Sequence, residues 1–73
     1  MIFKYVFVGD TLRIPAGKVL LVAGQQNNLT VWVQVRSGTE HQTLEAYGTG
    51  MEPKGDHVGS ALVGPYVWHV YRR

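Results

Sequence analysis

Gly64-Pro65-Tyr66-Val67-Trp68-His69-Val70-Tyr71 sets four aromatic rings, counting His69, and two β-branched residues into eight positions near the end of a 73-residue chain. That composition is typical of a pleated strand built against a core. Period two sends Tyr66, Trp68 and Val70 to one side and Val67, His69 and Tyr71 to the other. Both sides are so apolar that the stretch is expected to be an interior strand over most of its length. Gly64-Pro65 is then the turn into it, and Trp68 belongs to the core.

Working back from that turn, Val58 to Val63 reads as the preceding strand. Its Gly59, Ser60 and Ala61 suit a sharp bend or a close approach of two backbones. Gly48 to Asp56 reads as a loop, since Pro53 in its middle bars strand pairing. Thr39 to Tyr47 has two readings. Thr39-Glu40-His41-Gln42 has the pattern of a capping box and Leu44-Glu45-Ala46 favours helix, with Gly48 as its cap. Thr43, Glu45 and Tyr47 also alternate with Leu44 and Ala46, and the short linkers on either side favour this strand reading. Leu29 to Arg36 shows the cleanest alternation: Leu29, Val31, Val33 and Val35 face the core, while Trp32 shares a polar face with Thr30, Gln34 and Arg36. Trp32 there covers a second small cluster or stands exposed for binding.

Gly24 to Asn28 is a polar turn, with Asn tolerating left-handed backbone angles. Val19 to Ala23 is apolar without alternation and therefore reads as a central strand. Thr11 to Ile14 pairs briefly before Pro15-Ala16-Gly17 breaks it. Ile2 to Val8 is a strand apolar on both faces, as when it is covered twice or offers one face to a partner. Lys4 interrupts it, which fits an edge protected from unwanted pairing. The expected architecture is one all-β domain over residues 1–73 with at most one short helix, built as a small antiparallel sheet or partly closed barrel of five to six short strands.

Composition narrows the function classes. The chain has no cysteine, which removes disulfides and thiolate metal sites and suits a cytoplasmic protein. Seven Lys and Arg against five Asp and Glu give a formal charge of +2. That is too mild to announce a nucleic-acid binder, and the only basic cluster is Arg72-Arg73. The longest apolar run, Val19 to Ala23, is far below the roughly 18 residues of a bilayer span. Met1 to Val8 carries no charged leader or small-residue cleavage pattern, so no secretory signal is expected.

No catalytic or metal constellation emerges from the residues. Ser60 follows Asp56 and His57, but Gly59-Ser60-Ala61 lacks the glycine spacing of a nucleophile elbow. Glu40, Glu45, Glu52 and Asp56 read as solvated surface. His41, His57 and His69 are far apart in sequence, and His69 reads as half-buried with its nitrogen hydrogen-bonded. Gly48-Thr49-Gly50 lacks the remainder of a phosphate-binding loop and reads as backbone geometry. No enzyme, metal or cofactor is therefore expected. Two binding classes remain. Tyr5, Trp32, Tyr47 and Tyr66 could stack bases beside Lys4, Arg13, Arg36 and Arg72, although rings in so small a barrel are needed for packing. Alternatively, the same Trp, Tyr and Arg residues are those that carry protein-interface hot spots.

Tyr47-Gly48-Thr49-Gly50, Gly59-Ser60 and Gly64 to Tyr71 together resemble a family of small tailed-phage proteins. Its pattern runs Y-G-T-G, a polar loop, G-T or G-S, then G-P-[FY]-V-W-H-V-[FY]. Ile14-Pro15-Ala16-Gly17-Lys18-Val19-Leu20 and Leu29-Thr30-Val31-Trp32 are similar to its proline-glycine turn and L-x-x-W strand. The family includes a transcription regulator of a lytic Xanthomonas phage that binds host RNA polymerase. The resemblance implies a non-catalytic monomer in the host cytoplasm. It would bind the N-terminal region of the largest polymerase subunit, near the RNA exit channel, with a contact to nascent RNA or DNA. Sigma-dependent initiation would be inhibited and intrinsic terminators passed. The family motifs mark the fold, so partner contacts are expected elsewhere: at Phe3, Lys4, Tyr5, Arg36, Lys54, Arg72 and Arg73, apolar anchors with charged neighbours on termini and loops. A virion or accessory role is the remaining alternative.

Overall fold

A computed structural model describes all of residues 1–73. The chain forms seven strands and no helix: β1 (Ile2–Val6), β2 (Thr11–Pro15), β3 (Gly17–Gln25), β4 (Asn28–Val35), β5 (His41–Gly48), β6 (Asp56–Val63) and β7 (Tyr66–Arg72). Every ladder is antiparallel. One sheet has the order β1-β4-β3 and the other β2-β5-β7-β6.

The two sheets are joined by a corner one residue wide. Ala16 alone separates β2 from β3, and its N–H donates to Glu40 O while its carbonyl accepts from Arg36 N–H, both at 2.9 Å. A bend there lets one continuous stretch serve both sheets, a device of sandwiches whose strands switch sheet. Gln42 clamps the bend, its Nε2 donating to Pro15 O at 3.2 Å and Gly17 O at 3.1 Å. On the opposite side β3 and β6 lie against each other without a ladder. Their approach depends on absent side chains. A Cβ on Gly24 would sit 2.5 Å from Leu62 O, and one on Gly59 would sit 2.5 Å from Val22 Cγ2. The result is a rolled pair of sheets that stops short of a closed barrel.

Between the sheets lies a single core of Phe7, Ile14, Leu29, Val31, Val33, Leu44, Ala46, Ala61 and Val70. The alternation of Leu29, Val31 and Val33 is what aims β4 into it. Only 11 of 73 residues are buried, a thin core for a chain near the lower size limit of independent folding.

Several sequence expectations are met and others corrected. The stretch with two readings gives a strand from His41 on, β5, because β2 and β7 flank it on both sides and take up its backbone groups, while Thr39 and Glu40 stay outside it. The strand count is seven, above the expected five to six, since Thr11–Pro15 pairs along its whole length with β5. β3 is an edge strand, contrary to the expected central position. Its apolar run faces two ways: Val19 and Val22 pack on the core, while Leu20 and Leu21 are exposed beside a bulge between Val19 and Leu21. β7 is interior as expected, lying between β5 and β6. Only its Trp68 and Val70 side is covered, however, and Tyr66 at the turn is 67% exposed. Gln26 and Asn27, both with positive φ (51° and 64°), make the two-residue turn between β3 and β4 that matches strand twist. No helix is long and apolar enough to cross a membrane.

Candidate functional site

β1 is the rim of the three-stranded sheet, paired with β4 alone. Its ladder closes with Val35 N–H on Met1 O and Phe7 N–H on Leu29 O, both at 2.9 Å. Antiparallel alternation then gives the bonded groups to Met1, Phe3, Tyr5 and Phe7, and turns those of Ile2, Lys4 and Val6 away from β4. The free edge is a row of unpaired backbone donors and acceptors.

The period-two pleat separates three residues that are contiguous in sequence. Phe3 and Tyr5 oppose Val33 and Val31 on the core side, with ring centroids 6.4 Å apart. Phe3 overhangs the core at 44% exposure, whereas Tyr5 is half-buried against it. Lys4 opposes Trp32 on the other, outward face. Its Nζ reaches across β4 to donate to Gln25 Oε1 at 2.9 Å. Thr30, between Val6 and Ala23 in register, is completely buried on this outward face. Trp32 is half-buried beside it and so does cover a second small cluster. Around that cluster Ile2 (58%), Val6 (39%) and Leu21 (53%) are exposed. Contiguous apolar surface of this kind on a small domain is characteristic of docking sites.

The basic residues form a different group. Gly55 abuts the backbone of Arg72 and Arg73, which brings Lys54 beside the chain end. Arg73 grips Glu45 with both prongs, Nη2 to Oε2 at 2.8 Å and Nε to Oε1 at 3.3 Å. The Arg73 hydrogen bond holds the Glu45 carboxyl below its usual range against the opposing effect of burial; the Arg73 charge, the Tyr47 hydroxyl and Lys54 add to it. Arg72 is half-buried, opposite Asp56 and Leu44. Arg36 stands apart, just past β4 at the corner. The seven predicted contact residues are thus Phe3, Lys4 and Tyr5 on one sheet's edge, Lys54, Arg72 and Arg73 at the other sheet's end, and Arg36 alone.

One grouping escaped the sequence reading. His57 and His69 were separated there, yet both bond the same hydroxyl: Ser60 Oγ lies 2.9 Å from His57 Nε2 and 2.8 Å from His69 Nδ1. The far side of the His69 ring, Nε2, meets Thr49 Oγ1 at 3.0 Å. The expectation of a half-buried, hydrogen-bonded His69 is therefore met. A two-residue turn at Gly64-Pro65 implies the Ser60–His69 pairing by counting back from Val63 and Tyr66. His57 could not be counted, because a bulge between His57 and Gly59 shifts its register. Tyr71 joins the group, its ring edge-on to His57 at 5.1 Å and to Tyr47 at 5.7 Å. Neither imidazole is bonded to a carboxylate, the partner that orients the base of a Ser-His-Asp triad. No group of three or more His, Cys, Asp or Glu side chains gathers that could hold a metal ion.

The chain belongs to the family described as a domain of unknown function, DUF7352, whose model matches residues 1–73. No curated protein and no solved structure matches it.

Proposed function

We propose that the protein is a phage-encoded transcription regulator that binds host RNA polymerase in the host cytoplasm and acts by occupancy, without catalysis. The observation that carries this reading is β1: a free strand edge bordered by exposed Ile2, Phe3 and Val6, with Lys4 and the Trp32–Leu21 face behind it. An edge with unpaired backbone groups and flanking apolar side chains suits an extended segment of a partner added as a further strand. The family resemblance of the Y-G-T-G and G-P-Y-V-W-H-V-Y stretches supports the choice of partner, the N-terminal region of the largest polymerase subunit near the RNA exit channel.

Phe3 and Tyr5 serve as apolar anchors, and Lys4, Arg36, Lys54, Arg72 and Arg73 as the charged surround that sets orientation and encounter rate. Docking there disfavours sigma-factor binding during initiation. During elongation it opposes the hairpin or rearrangement that an intrinsic terminator needs. Both effects require unequal affinity for polymerase states, since equal affinity shifts no equilibrium.

The test uses purified Xanthomonas RNA polymerase and the full chain, with Ile2→Asp and Val6→Asp as surface variants checked for folding by circular dichroism. The wild type is expected to bind, lower sigma-dependent transcripts and raise terminator read-through, and the variants to lose all three together. Wild-type protein that neither binds nor alters transcription overturns the proposal.

A further inference from the structure

The outward face of the β2-β5-β7-β6 sheet differs from the β1 side in kind. Its rows run across the strands: Tyr47, His69 and Ser60 in one, and Thr11, Glu45, Tyr71 and His57 in the next. The rings stand partly open to solvent and are held by one another and by the Ser60 and Thr49 hydroxyls. At one end the face turns basic. Arg13 pairs opposite Thr43, and Arg73 N–H bonds the carbonyl of the same Thr43. Lys54 joins them through Gly55. The one acid among them, Glu45, is neutralised by Arg73, the only ion pair in the molecule, so Arg13 and Lys54 are free cations. Of the other acids nearby, Asp56 lies opposite Arg72, Asp10 accepts from the Thr11 hydroxyl at 3.3 Å, and Glu52 is exposed two positions before Lys54.

We infer that this face binds single-stranded nucleic acid, with bases against the Tyr47, Tyr71, His57 and His69 rings and phosphates on Arg13 and Lys54. Ring faces accept any base by stacking, and neighbouring cations track the backbone. Tyrosine rings also suit protein interfaces, but unpaired cations beside a row of rings and hydroxyls match a polyanion that carries stackable bases. The sequence suggested base stacking on Tyr5, Trp32, Tyr47 and Tyr66, and of these only Tyr47 lies here. The inference is independent of the polymerase reading.

The experiment is fluorescence anisotropy of labelled oligo(U) and oligo(dT) of about 10 nucleotides titrated with the full chain between about 50 and 200 mM salt. Binding at low salt is expected to weaken with a log–log slope near −1.4, for two phosphate contacts at about −0.7 each. Arg13→Glu with Lys54→Glu should weaken it at least about tenfold and flatten the slope, equivalent to about 1.4 kcal/mol. Tyr47→Leu, which keeps an apolar side chain and removes the stacking ring, should weaken it with the slope unchanged, while Lys18→Glu, at an exposed position on β3 of the other sheet, should have no effect. Tighter oligo(U) binding would identify RNA as the preferred ligand and equal binding a general single-strand face; both support the inference. No binding at sub-millimolar protein overturns it, as does binding that Lys18→Glu weakens as much as the double variant. Polymerase binding retained in a chain that binds no oligonucleotide would retire this inference alone.

Discussion

Ser60 and His69 face each other across the β6–β7 ladder, and the Ser60 hydroxyl, 2.8 Å from His69 Nδ1, also touches His57 Nε2 at 2.9 Å. One hydroxyl carries one proton, so it donates to one ring and accepts from the other. With Thr49 on His69 Nε2, the chain of bonds has a direction that sets both tautomers.

Ser60→Ala removes two of these bonds at once. At an exposed site the expected cost is about 0.5–1.5 kcal/mol, the net worth of an ordinary hydrogen bond. Urea unfolding measures it. Ring nitrogen shifts of His57 and His69 should show one dominant tautomer each in the wild type and a mixture in the variant. Unchanged shifts would mean the bonds do not persist in solution.

Glu45 ionises more readily in the folded protein because Arg73 hydrogen-bonds its carboxylate. A carboxyl with a lowered folded-state pKa contributes stability above its unfolded value, near 4.5. That contribution is lost as pH falls through the folded value. Stability should therefore drop in acid below about 4.5, and Glu45→Gln should show a shallower acid limb. Unfolding curves of both proteins across that window check the sign.

Gly59 admits Val22 from the facing sheet, where a Cβ would stand 2.5 Å from Cγ2 and 2.9 Å from Cβ of that valine. Gly59→Ala should cost about 1–3 kcal/mol by overpacking. Val22→Ala should relieve it, so that the double variant is more stable than the two single effects added. Additive costs would show that β3 and β6 do not meet as closely as described.

What was legible in the sequence was local. The alternation from Leu29 to Val35 gave a strand and its buried side, and Gly64-Pro65 gave the last hairpin. Position within a sheet was not legible. Val19 to Ala23 has the composition of a central strand because one side packs on the core while Leu20 and Leu21 face outward at an edge. The corner at Ala16 depends on bonds to Glu40 and Arg36, twenty or more residues away, which no local pattern encodes. For the contact residues, proximity in sequence misled in both directions. Phe3 and Lys4 are neighbours on opposite faces, while His57 and His69, twelve positions apart, share a hydroxyl.

In the proposed complex a partner strand docks along β1. Hydrogen exchange of the Met1–Phe7 segment, with and without purified Xanthomonas RNA polymerase, tests it at the backbone groups concerned. The outward amides of Ile2, Lys4 and Val6 should exchange fast in the free protein and slow markedly in the complex. Binding that leaves exchange across this segment unchanged, or slows it only elsewhere, would contradict the claim.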